Sequence, residues 1–322
     1  MVMDWTVLKS FCSLHSTPGD EGAVFDALAA RWELQGLDVS RLGRYAVLAE
    51  PAVRKKADSV LLVAHADSPG FVVSVVMSAM ELKVLALGGI SPQNAELVLK
   101  VGGRLVSAYV YAPEDSAAWS RREPLQVILS EPCPDVRQGD RLCWAFAWQE
   151  DDEQIHSPFL DNRIACALVA EWYTRYTRLL TECNVLLAAT AMEEVNGFGA
   201  NVLARQVHVD AVVVLDVTYT NAEQGVVLEG GPVITLSDAS VLLSPLERDQ
   251  LSSCSVPLQT EVYNFSGTDA RAFPAMGVPV PVVPVLLPTE GNHGPMECIA
   301  KRDLEAWPGA VAAVVRCLLR QA

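Results

Sequence analysis

Two histidines and five carboxylates stand where the apolar stretches of this chain give way to polar ones. A wholly apolar run, Val60–Ala64, leads into His65-Ala66-Asp67. A second, Asn184–Ala191, leads into Met192-Glu193-Glu194, and a third, Ala211–Leu215, runs into Asp216. Asp161 lies in the string FLDNR, directly before a helical pattern. His293 lies in TEGNHGP, beyond the apolar segment Pro279–Val285. In open α/β sheets functional groups collect at the carboxyl ends of strands. Two imidazoles, two carboxylates and one shared carboxylate suit a pair of divalent cations, because a carboxylate can bridge two ions. Taken singly, each residue has an ordinary alternative. Asp161 could cap a helix, Glu193-Glu194 could be an exposed acidic pair, His65 could be a hydrogen-bonded structural histidine, and Asp216 could cap a loop. The recurrence of such groups at successive element boundaries is what points to metal chemistry. His15, His156 and His208 have no partnering pattern and are expected to be non-ligands; His156, four residues before Asp161, could lie at the edge of the site.

The elements that must hold these groups are legible in the hydropathy pattern. Short, wholly apolar runs suggest strands buried on both faces. Pro279–Val285 is apolar and β-branched, but its prolines suggest an edge strand or extended segment. Helical spacing appears over Glu21–Leu34, Ile164–Leu180, Phe198–Arg205 and Leu304–Leu319. Alternating strands and helices predict an α/β fold, a mixed, mostly parallel sheet flanked by helices. Residues 73–146 differ: short β-rich runs are separated by glycine, proline and polar turns, such as Gly88-Gly89 and Gly102-Gly103. The expected organisation is a discontinuous catalytic domain, 1–72 and 147–322, interrupted by a small β domain, 73–146.

Composition narrows the function classes. The chain of 322 residues is 51% hydrophobic, enough for a sizeable core, and length alone favours about two domains. It carries 39 acidic against 24 basic residues, a net charge of −15. That balance disfavours nucleic acid, which needs a basic surface, and an anionic membrane surface. No apolar stretch approaches the ~18 residues of a membrane span, and MVMDWTVLKSFC lacks a signal-type apolar core. A cytoplasmic location is the expectation. Cysteines 12, 133, 143, 166, 183, 254, 298 and 317 form no CxxC pair, and most are expected to be small buried hydrophobes.

The segments HSTPGDEGAV (15–24), AHADSPGFVV (64–73), LDNRIACAL (160–168), EEVNGFGA (193–200), VLDVTYT (214–220), EGGPVI (229–234), SGTDA (266–270) and NHGPMECIAKRDLE (292–305) follow one another in the order of a known family. With LGG (87–89) they span nearly the whole chain. The sequence resembles the glutamyl-aminopeptidase, or tetrahedral aminopeptidase, family of dinuclear metallo-aminopeptidases. The resemblance implies a zinc-exopeptidase-like fold and two divalent ions, zinc with cobalt or manganese as alternatives. It implies His65 and Asp216 as terminal ligands of one ion, Glu194 and His293 of the other, and Asp161 as the bridge. It implies Glu193 as general base and Asp67 as the group that orients the His65 ring. Peptide substrates and a dimer-based homo-oligomer, up to a dodecamer, are implied as well, with the inserted β domain serving assembly. Ser68, Asn162 and the TEGN loop depart from the family pattern; DSPGF and LDNR look more like the aspartyl aminopeptidases. A deacylase of small N-acyl compounds and a catalytically silent member are the competing readings.

Overall fold

In the computed structural model, which describes residues 4–90, 93–113, 123–263 and 265–319, the apolar runs lie side by side. The strands begin with β1 (Leu37–Leu42), β2 (Ala46–Pro51) and β3 (Ser59–His65). Next come β4 (Gly70–Val76), β5 (Glu81–Leu87), β6 (Ala95–Val101), β7 (Arg104–Tyr111), β8 (Leu125–Leu129) and β9 (Arg141–Trp144). After β10 (Gln149–Glu150) and β11 (Gln154–Ser157) follow β12 (Asn184–Thr190), β13 (Ala211–Tyr219), β14 (Val233–Asp238), β15 (Gln259–Tyr263), β16 (Val282–Thr289) and β17 (Glu297–Ala300). The helices are α1 (Trp5–Cys12), α2 (Gly22–Leu34), α3 (Leu160–Glu171), α4 (Phe198–Ala204), α5 (Pro245–Leu251), α6 (Ala272–Ala275) and α7 (Lys301–Leu319).

Eight strands form one mixed, mostly parallel sheet in the order β1-β2-β12-β3-β13-β16-β14-β15. Its centre is buried on both faces: every residue of β3 and β12 is buried. Such strands can be near-continuously apolar because helices cover both sides. Trp32 of α2 donates its indole N–H to the Val169 carbonyl of α3 (2.9 Å), and Trp307 of α7 donates to the Val285 carbonyl of β16 (3.0 Å). Each ring thus buries its bulk while its one polar atom is satisfied. Among the described residues no helix is long and apolar enough to cross a membrane.

Two strands differ from expectation. β13 continues past Leu215 to Tyr219, so Asp216 lies inside the strand, because β16 pairs with it in register as far as Thr289. β16 lies between β13 and β14 rather than at an edge. Its prolines are tolerated because β14 pairs with it only at Val285 and Leu286, leaving Pro284 and Pro288 outside that short ladder.

Between β3 and β10 the chain leaves the sheet and closes a six-stranded barrel, β4-β5-β8-β7-β6-β9, around its own apolar core. Two contacts seat the barrel. Lys100 of β6 reaches both carboxylate oxygens of Asp20 at 2.8 Å. Gly70 lets the first barrel strand pass Thr17, whose Cγ2 a Cβ would meet at 2.5 Å. Outward, the barrel exposes Leu105, Tyr109 and Tyr111.

Gly199 opens a second close approach. A Cβ there would lie 2.4 Å from the Ala191 nitrogen and 2.5 Å from the Tyr45 oxygen, both backbone atoms that cannot yield. Gly199→Ala should therefore destabilise the fold by about 1–3 kcal/mol, as overpacking does. Gly22→Ala, where a Cβ meets nothing within 4 Å, should stabilise it by about 0.4–1 kcal/mol. Urea unfolding of the two variants beside the parent checks the pair; equal midpoints would contradict the packing.

Candidate metal centre

Parallel register brings the first two groups together. Val63 of β3 pairs with Val214 of β13. His65 and Asp216, each two residues further along, therefore emerge on one face of neighbouring strands. His65 Nε2 stands 3.3 Å from Asp216 Oδ1.

Asp161 is delivered from the other side. It lies in the first turn of α3 with non-helical backbone angles, and its bond to Asn162 is cis. Its carboxylate caps no helix. Its N–H donates to Glu297 Oε2 (2.8 Å), and its carbonyl accepts from the Ser68 hydroxyl (2.6 Å). The next residue, Asn162, donates its side-chain N–H to the Leu215 carbonyl (2.8 Å). So held, Asp161 aims Oδ1 at His65 Nε2 (3.2 Å) and Oδ2 at His293 Nε2 (3.2 Å). The same His293 nitrogen is 3.5 Å from Glu194 Oε2.

The two acidic neighbours separate because the chain leaves the strand before them. β12 ends at Thr190 and Met192 adopts a positive φ of 61°. The N–H groups of Glu193 and Glu194 both donate to the Asp67 carboxylate, each at 3.1 Å. This differs from the expected role of that carboxylate. The His65 ring nitrogen Nδ1 instead lies 3.1 Å from the main-chain oxygen of Asp67, with the carboxylate 3.7 Å away. Glu194 thereby faces His293, while Glu193 turns toward the cleft and stands 3.7 Å from Arg271 Nη2.

His65, Asp161 and Asp216 form one cluster of potential ligand atoms; Asp161, Glu194 and His293 form a second. The ligand-to-ligand spacings of 3.2–3.5 Å match the roughly 3.3 Å separating tetrahedral ligands about 2.0–2.1 Å from an ion. Asp161 Oδ1 and Glu194 Oε1 are buried and make no hydrogen bond within the protein. His15 instead pairs with Asp20 (3.3 Å), His156 lies near Cys298 and His208 is exposed; none joins either cluster.

The charges explain why cations fit. Burial pushes Glu193 well above the usual carboxylate range and Glu194 to about 8, and neighbouring carboxylates add to both rises. Burial alone would lower the imidazoles. Asp216, Asp161 and Asp67 together outweigh it at His65, holding it well above the ordinary value, and Glu194 with Asp161 lifts His293 to about 11. Asp161 moves down although burial opposes it, because it faces both rings. Crowded like charges cannot all stay ionised without positive charge among them.

Several supporting residues escape sequence reasoning. Glu297 accepts from the N–H of Asp161 and, at 2.8 Å, of His293, and so sets the distance between them. Arg163, fully buried, donates to the carbonyls of Ala66 (2.5 Å) and Ser16 (3.0 Å) beneath the site. Gly89 leaves room for the His293 ring, whose Nδ1 a Cβ would meet at 2.6 Å. The one available signal is a charged residue inside a matching string: Arg163 in LDNRIACAL and Glu297 in NHGPMECIAKRDLE.

Comparison with known proteins gives a family model described as M42 glutamyl aminopeptidase, which matches residues 134–308. A candidate aminopeptidase of Acetivibrio thermocellus is 25% identical over 92% of this chain and 94% of its own. Among solved structures, an aminopeptidase from the archaeon Desulfurococcus kamchatkensis superimposes with a TM-score of 0.83 at 22% identity, covering 99% of this chain and 96% of that one. The Pyrococcus horikoshii TET1 peptidase, described as assembling into a tetrahedron or a large octahedral shell, gives 0.83 at 19% identity over 96% and 98%.

The Asp67 carboxylate is the clamp on the Glu193-Glu194 turn. Hydrogen bonds to a charged group contribute about 1.5–3 kcal/mol each. Asp67→Ala should thus lower stability by about 3 kcal/mol or more. Chemical denaturation with a chelator present isolates this from any effect of metal; an unchanged midpoint would mean the clamp carries no load.

Proposed function

The chain belongs to the M42 glutamyl aminopeptidase family, and we propose that it is a dinuclear metal-dependent aminopeptidase that removes N-terminal residues from peptides. The observation that carries this reading is the pair of three-ligand clusters sharing Asp161. In it, His65 and Asp216 would hold one divalent ion, Glu194 and His293 would hold the other, and Asp161 would be shared between them. Donor sets of nitrogen and oxygen suit zinc, with cobalt or manganese as alternatives. When bound, such ions lower the pKa of water and polarise a carbonyl.

The protein's own part is to position groups and move a proton. Glu193 is a neighbour of the clusters but a member of neither, so its carboxylate is available for proton transfer. It takes a proton from the attacking water and returns it to the leaving amine. The Asp67 carboxylate, by fixing both backbone N–H groups, keeps the two glutamates from exchanging roles. The His65, Asp161 and Asp216 side chains are nearly dry, which strengthens every charge interaction at the reacting bond. Restriction to the first residue follows if the peptide's free amine is itself a recognised group. A cytoplasmic homo-oligomer built from dimers, as large as a dodecamer, accompanies this reading. The apolar and aromatic residues exposed on the barrel, Leu105, Tyr109 and Tyr111, support assembly through that domain, and light scattering on the purified chain measures it.

Two measurements test the chemistry. Glu193→Gln should keep the metal content of the parent and lose about 10²–10⁴-fold in kcat, whereas Asp161→Ala should lose metal, read by elemental analysis after dialysis. Near-normal turnover by Glu193→Gln would remove it as the base. Acetylating the amine of a hydrolysed peptide should abolish cleavage; a chain that prefers the acylated compound is a deacylase instead.

A further inference from the structure

The cleft of about 490 Å³ that contains the clustered ligands extends well beyond them, along β13, β14 and β15. The two ligand clusters around Asp161 mark the end where a reacting carbonyl belongs. The side chain of a substrate's first residue must then occupy the remainder. That remainder has an acidic floor. Glu261 lines it although the residue is only 5% exposed. Its two carboxylate oxygens each accept one threonine hydroxyl, from Thr218 (2.6 Å) and Thr235 (2.7 Å). Both donors are neutral, and an ionised carboxylate has room for about two more. Among the described residues no cationic side chain pairs with Glu261. Burial raises its carboxyl, the threonines draw it back, and Asp238, a second acidic group lining the same cleft, raises it again. A buried charge of this kind is costly unless an opposite charge meets it.

The walls suit a long cationic side chain. Leu286 supplies apolar surface, and Tyr219, Tyr263 and Phe265 form an aromatic shelf with ring centroids 6.2 Å apart in each successive pair. Phe265 is 95% exposed at its outer end. Such rings cover a methylene stem and attract a cation. Among the described residues Arg271 is the one arginine lining the cleft; its side chain, 43% exposed beside Glu193, also favours the charged form of Asp238 and makes no ion pair with Glu261.

We propose that this cleft selects peptides whose first residue is cationic, lysine or arginine, with Glu261 as the specificity-determining carboxylate. The proposal rests on the aminopeptidase reading above. The zinc- or cobalt-loaded full chain would be assayed on fluorogenic aminoacyl amides of lysine, arginine, leucine and glutamate. The lysyl and arginyl compounds should exceed the leucyl one in kcat/KM by at least about 10-fold, the worth of one charged hydrogen bond, with the glutamyl compound lowest. Glu261→Gln should cut the lysyl-to-leucyl ratio by a similar factor. A parent enzyme that prefers leucine or glutamate overturns the proposal, as does an unchanged ratio in the variant; the parent's ranking decides alone if the variant does not fold. Hydrolysis of none of the four compounds would instead count against the aminopeptidase reading. In that case equilibrium binding of lysinamide against norleucinamide to the loaded chain still tests the cleft: at least tenfold tighter lysinamide supports it, and equal binding overturns it.

Discussion

The architecture turns on one carboxylate. Asp161 presents its two oxygens to two imidazoles, each 3.2 Å away. That arrangement concentrates negative charge, because Asp216 and Glu194 crowd the same rings. Buried like charges push one another toward neutral forms, so such a cluster persists only where the surrounding protein leaves it no alternative. The surroundings here are over-determined. Asp161 is gripped at its N–H by Glu297, at its carbonyl by Ser68, and through its neighbour Asn162 by the Leu215 carbonyl of β13.

The grips come from distant parts of the chain, and the fold exists to bring them together. Parallel pairing of β3 with β13 aligns His65 with Asp216. β17, through Glu297, ties the Asp161 turn to the His293 loop. The Asp67 carboxylate, just past β3, clamps the Glu193-Glu194 turn that follows β12. Asp161, Glu193 and Glu194 are thus held at their backbone N–H groups by the carboxylates of Glu297 and Asp67. The cleft beside them is built differently. Its wall is made of β14, β15 and the loop that carries Phe265, at the sheet's outer side, where exposure and acidity can vary without disturbing the centre.

Much of this was legible beforehand. Val60–Ala64, Asn184–Ala191 and Ala211–Leu215 are so continuously apolar that burial on both faces was their simplest fate, and the polar residues after them were then expected at the carboxyl ends of strands, although β13 runs on past Asp216. The β-rich stretch between Val73 and Phe146 announced itself through its turns. Pro279–Val285 misled because proline's missing donor matters only where a neighbour needs it, and the short β14 ladder does not. Ser68 and Asn162 stood out as departures from the family pattern. Their work, holding the Asp161 turn from two sides, depends on contacts to residues far away in sequence.

The sequence by itself determined the alternating α/β plan, the inserted β unit and the short list of His, Asp and Glu residues able to do chemistry, because hydropathy period and residue type are local properties. Only the tertiary structure decided how those residues sort. Which oxygen of Asp161 faces which ring, why Glu194 turns toward His293 while Glu193 does not, and what Glu297, Arg163 and Gly89 are for are matters of distance between segments many residues apart. The acidic excess divides in the same way. Its size is a count, but the pairing of Glu261 with two threonines at the floor of the cleft comes from strands that meet only in the folded sheet.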